Sequence, residues 1–161
     1  MDRVTLIALL FSALGCKHVD GGAVEASWVL VTSFGQGISD CSCTCPPIAK
    51  IRMELLPKGD GADGADVCAG RSACEFSCNQ GTGSTQFDIP PGKYQVRLVP
   101  VGADGADATG SEAGGCRAEG RAFTKLFDVV AGGVTQLDAL EMVAGCAPEC
   151  GGDDNTKVCT K

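Results

Sequence analysis

Eleven Cys and a single His are the side chains of this 161-residue chain whose types point most directly to chemistry. A thiol can be acylated, oxidised to a disulfide, bound to a metal or used as a nucleophile, and its surroundings decide which. The His, His18, stands two residues after Cys16 near the start of the chain. Nucleophilic catalysis needs a base held in a rigid site, beside Ser or Cys and oriented by a third group, and His18 has no such setting. No catalytic residue is assigned, and the chain is not expected to be an enzyme. Cys74/Cys78 and Cys146/Cys150 have a C-x₃-C spacing that structural zinc sites use, and Cys41, Cys43 and Cys45 crowd three thiols into five residues. Against a metal stand the missing CxxC pairs and the remote His, so no metal or other cofactor is expected.

The chain opens MDRVTLIALLFSALGCKH. One cation, Arg3, precedes an uncharged run over residues 4–15, the pattern of an export signal. That run is too short to span a bilayer core of ~30 Å as a helix. It ends Ser12-Ala13-Leu14-Gly15-Cys16, which resembles the lipobox of bacterial lipoproteins, with Ala13 where that family most often has Leu. The resemblance implies cleavage before Cys16, acylation of its thiol and attachment to a membrane. Multiple acyl chains, each buried methylene contributing ~0.8 kcal/mol, hold a protein there stably. Lys17, where Asp would signal inner-membrane retention, implies the outer membrane of a Gram-negative bacterium. The alternative is an ordinary signal cleaved nearby, with Cys16 a disulfide partner.

Cysteine parity favours the anchor. Setting Cys16 aside leaves ten: Cys41, Cys43, Cys45, Cys68, Cys74, Cys78, Cys116, Cys146, Cys150 and Cys159. An even set in an exported chain suits five disulfides. If Cys41, Cys43 and Cys45 are extended, their Cα atoms lie ~6.6 Å apart on one face, near the limit for bridging one another. The cluster is therefore expected to bond mainly to the 68–78 group, and the tail Cys partly among themselves.

The acidic stretch GADGAD occurs twice, at 61–66 and 102–107. Asp60, Asp63, Asp66, Asp104 and Asp107 are the weak candidates for a cation site. Their spacing of three is not the alternate register of an EF-hand loop. They are expected to be surface turns at matching ends of two strands. The alternative is an accessory domain that takes calcium or another ligand between loops 60–66 and 102–107.

The elements that would carry these residues follow a period of two. Ile51, Met53 and Leu55 alternate with charges, and Tyr94, Val96 and Leu98 do the same, each pattern predicting a strand with one buried face. Residues 27–32, SWVLVT, predict a strand deeper in a sheet; 86–89 and 123–130 predict two more. Pro90-Pro91-Gly92 and Ala131-Gly132-Gly133 supply turns, the second predicting a hairpin into residues 134–143, read as a strand despite partly helical spacing. Gly81-Thr82-Gly83 reads as a turn. The expected fold is all-β: a single antiparallel β-sandwich of about six or seven strands, stapled by disulfides.

At FDIPPGKYQVRL, residues 87–98, a strand, a Pro-Gly turn, a Tyr and an alternating strand resemble the transthyretin-like and carboxypeptidase-regulatory-like sandwiches of immunoglobulin type. The resemblance implies that architecture and says nothing of activity; the Cys content is far above that of a typical member. The expected organisation is a lipoprotein signal peptide at 1–15, a lipidated N-terminus and tether at 16–24, the sandwich at 25–143 and a Cys-rich tail at 144–161. A net charge of −7 argues against nucleic acid. The expected partners are the membrane, through the N-terminal lipid, and an envelope or extracellular protein. The expected role is a non-catalytic module for protein interaction or envelope structure.

Overall fold

A computed structural model describes residues 19–59, 62–110, 118–123 and 126–146. In chain order the strands are β1 (Ala23–Val31), β2 (Gly37–Ile38), β3 (Thr44–Cys45), β4 (Ile48–Gly59), β5 (Ala62–Asp63), β6 (Glu75–Ser77) and β7 (Thr82–Ser84). There follow β8 (Gly92–Gly102), β9 (Arg121–Ala122), β10 (Phe127–Val129), β11 (Val134–Gln136), β12 (Leu140–Val143) and β13 (Gly145–Cys146). Among the described residues, 3₁₀ turns at Cys41–Cys43, Ser72–Cys74, Cys78–Gln80 and Ala108–Gly110 punctuate them. The fold is all-β, and many of its strands are two or three residues long.

The longest ladder joins β4 and β8 antiparallel. It sets Met53 opposite Leu98, Leu55 opposite Val96 and Pro57 opposite Tyr94. The two alternating runs thus face the same core, and Ile51, Met53, Leu55, Val96 and Leu98 are all fully buried. On the opposite face Glu54 takes Arg52 at 3.1 Å and Arg97 at 3.5 Å. β10 and β9 extend this sheet beyond β8, and β6 and β5 extend it beyond β4, every pair antiparallel.

The second sheet is built around β1, whose SWVLVT run is central, as its apolar sequence predicts. β7 and β2 pair with it antiparallel; β11 and β12 pair with it parallel. The expectation of a purely antiparallel fold is thus wrong for this sheet. β1 and the late strands come from opposite ends of the domain, so no tight hairpin dictates their direction, and the intervening chain supplies the long crossover that parallel pairing needs. Val24, Ala26, Trp28 and Leu30 turn inward from β1 to join the buried face of β4 and β8 in one hydrophobic cluster. A two-stranded ladder of β3 and β13 stands apart.

Three local expectations also change. Residues 86–89 form a turn with one bridge, Gly22 to Ile89, instead of a strand. The strand preceding it is β7, placed where Gly81-Thr82-Gly83 was expected to be wholly a turn. Gly81 is left-handed (φ 68°), but Gly83 lies flat under Phe76, whose ring would be 2.3 Å from an added Cβ. A glycine inside a strand marks such close approach. Finally, Ala131-Gly132-Gly133 makes a tight turn, closed by Gly133 N–H donating to Val130 O at 3.1 Å, but not a hairpin. It carries the chain from β10 in one sheet to β11 in the other. Residues 134–143 are extended, as two strands with Leu137 buried between them.

Candidate functional site

The cysteines form a framework around Trp28. Cys41 bonds Cys78, closing a sequence separation of 37, and Cys68 bonds Cys74 across a separation of 6. Cys43 and Cys45 are also disulfide-bonded. The Trp28 indole N–H donates to Cys78 O at 2.9 Å, and its ring lies 6.1 Å from that of Phe76. A sulfur in a disulfide is not a thiolate ligand, so these six Cys are not a zinc site.

The 41–45 cluster is not a single extended run. Asp40 accepts from Ser42 N–H at 2.9 Å and nucleates the 3₁₀ turn over Cys41–Cys43. The fully buried Thr44 hydroxyl then lies 2.7 Å from Cys41 O and accepts from Ile48 N–H at 2.9 Å. Only Cys41 of the cluster reaches the 68–78 group. Cys68 and Cys74 bond each other, so the expectation that the cluster bonds mainly to that group holds for Cys41 alone. Cys16, Cys116, Cys150 and Cys159 lie outside the described residues, as do His18 and Asp60; Cys146 and Asp63 are placed as backbone positions in β13 and β5.

The acidic loops are separated by the ladder itself. One follows β4 and the other follows β8, and antiparallel pairing sends those two ends in opposite directions. The pairs Pro57–Tyr94 and Ile48–Gly102 stand nine residues apart along β4, about 30 Å at ~3.3 Å per residue. The loops thus leave the ladder at opposite ends, although Asp66 folds back to Leu55 and Asp107 to Arg52, three positions apart on β4. Their described carboxylates also have internal donors. Asp66 accepts from Leu55 N–H at 2.7 Å and Cys68 N–H at 3.0 Å, fastening the chain after β5 back onto β4. Asp104 accepts from Ala106 N–H at 3.0 Å, and Asp107 holds Arg52 at 2.6 Å. Burial disfavours the Arg52 cation, but Glu54 and Asp107 outweigh that and raise its affinity for the proton. Among the described residues no group of His, Cys, Asp and Glu is arranged to hold a metal.

The feature that sequence reading missed lies where the chain enters the fold. Residues 21–24, read as tether, are buried. Gly22 and Ile89 exchange both backbone hydrogen bonds, at 2.9 and 3.1 Å; Gly132 N–H donates to Gly21 O at 2.9 Å. The entering strand is thus clamped between the 87–91 loop and the 130–133 turn. Both glycines are required by contact: a Cβ on Gly21 would meet Asp88 Cα at 2.7 Å, and one on Gly22 would meet Val130 O at 2.4 Å. The signal available was the Gly-Gly pair directly before an apolar β-run, which reads equally as flexibility or as close packing. Beside the clamp, Val19, Gly21, Phe87, Pro90 and Pro91 line an open groove of ≈ 570 Å³. Arg71 pairs with Asp88 at its edge. Tyr94, buried under the Pro90-Pro91-Gly92 turn, donates its hydroxyl to Pro90 O at 2.7 Å. Burial pushes this phenol above its ordinary pKa.

No family model, curated protein or solved structure matches this chain. Among the described residues no helix is long and apolar enough to cross a membrane.

Proposed function

We propose that this protein is an exported lipoprotein, anchored through acylated Cys16 in the outer membrane of a Gram-negative bacterium, that displays a non-catalytic β-sandwich for contact with another envelope or extracellular protein. The observation that carries this reading is the position of the chain's entry. Among the described residues, Gly21 and Gly22 carry backbone hydrogen bonds into the fold five and six residues after Cys16, at one end of β1. An anchor at Cys16 would hold the module by that end and present the other. β1 is nine residues long, about 30 Å, and the turn that follows it exposes Phe34, with 62% of its surface in solvent. The disulfides suit an oxidising compartment.

The immunoglobulin- or transthyretin-like form of the sandwich is part of the proposal. In its favour, Tyr94 bonds back to Pro90 O across the Pro-Gly turn, as corner tyrosines do in immunoglobulin sandwiches, and a buried Trp lies beside a disulfide. The parallel pairs of β1 distinguish this chain from a wholly antiparallel member.

Mass spectrometry of the mature N-terminus tests the anchor. The expected product starts at diacylated Cys16, and Cys16→Ser leaves the chain unlipidated and in the soluble fraction. An unacylated mature start at any other residue would end the proposal. Cross-linking of intact envelopes tests the display role, with one dominant protein partner expected.

A further inference from the structure

We infer that the end of the molecule around the chain's entry lies directly against the lipid bilayer, with Phe87, Val19 and Val130 seated in the headgroup–acyl boundary. The inference rests on the lipoprotein reading above. From Cys16 to Gly21 there are five residue steps, a reach of at most about 17 Å. That is shorter than β1 alone, so an anchor at Cys16 leaves this end of the fold no other neighbour than the membrane.

The surface there fits a lipid occupant. Gly21 and Gly22 hold the 87–91 loop on one side of the entering chain and the 130–133 turn on the other. Each of the three segments exposes a large apolar side chain: Val19 (42%), Phe87 (46%) and Val130 (59%). Val19 and Phe87 line one groove, and apolar area buried at the headgroup–acyl boundary would add to the hold of the acyl chains. The net charge of −7 would oppose an anionic bilayer, but two of the acids near this end have cationic partners. Asp88 pairs with Arg71, and Asp128 lies 3.4 Å from Lys93.

The test uses the mature chain from Cys16, ligated through its N-terminal Cys to a thioester-headgroup lipid in phosphatidylcholine vesicles. This attachment does not depend on acylation in the cell, so failure here is distinct from failure of the lipoprotein reading. Three variants, Phe87→Trp, Val130→Trp and Phe34→Trp, place an indole at the near end twice and at the far end once. Native Trp28, 3% exposed, contributes a constant background. The expected result is at least a fivefold loss of iodide quenching for the first two variants on tethering, together with quenching by chain-labelled lipids, and no change for the third. Equal iodide access in all three would overturn the inference, as would lipid quenching of the Phe34→Trp variant alone. Shielding from iodide without lipid quenching would mean that a second copy or another protein covers this end, and would refute the bilayer as occupant.

Discussion

Removing the two assigned disulfides separately should destabilise the protein unequally, and the loop lengths say by how much. Cys41–Cys78 spans 37 residues and Cys68–Cys74 spans 6. Chain entropy released in the unfolded state scales with the logarithm of that length, giving about 3.8 kcal/mol for the first bridge and about 2.2 kcal/mol for the second. The smaller loop is nested in the larger and shortens it by about five residues, a correction of little more than 0.1 kcal/mol. All four cysteines are buried, none more than 6% exposed, so the packing lost on Cys→Ala is similar in both cases and largely cancels in the comparison. Cys41→Ala/Cys78→Ala should therefore lie about 1.6 kcal/mol below Cys68→Ala/Cys74→Ala, roughly fifteenfold in the folding equilibrium. Against a typical total of about 5–15 kcal/mol, the first variant loses a large share of its stability. Urea unfolding followed by Trp28 fluorescence reads the change at the bridge, because that indole is bonded to Cys78 O. Equal losses, or a larger loss from the short loop, would refute loop entropy as the governing effect.

Tyr94 is the single Tyr of the chain, so its titration can be followed by phenolate absorbance alone. Because its folded pKa is raised, the contribution of the neutral phenol is intact below about pH 10 and is lost as pH rises through the folded value. Tyr94→Phe should cost about 0.5–1.5 kcal/mol at neutral pH through the lost bond to Pro90 O, and should flatten the alkaline limb of the stability curve. An unchanged limb would show that another group governs it. Gly22→Ala should cost about 1–3 kcal/mol, since its Cβ meets a backbone oxygen that cannot rotate away. A thermal melt within experimental error of wild type would show that the clamp yields.

Period-two alternation in residues 50–55 and 93–98 was enough to identify β4 and β8 and their buried faces, because a strand's side chains alternate regardless of partner. The proposed export and lipid anchor rest on local sequence alone, and the disulfides are expected from the compartment that they imply. Other features depend on what a residue meets in space. Gly83 is a strand residue because Phe76 lies over it, and Gly21 and Gly22 are packed glycines because the 87–91 and 130–133 segments close on them. Their free backbone reads the same whether it serves flexibility or contact. The direction of β11 and β12 beside β1, and the pairing of Cys41 with Cys78, are set by segments distant in the chain, for which no local pattern exists. The two GADGAD stretches show the division most plainly. Their composition reads as turns after strands, but Ala62–Asp63 folds back on β4 as β5, and only the antiparallel β4–β8 ladder sends the two stretches off its opposite ends. Register and direction are properties of a pair of strands and are written in neither strand alone.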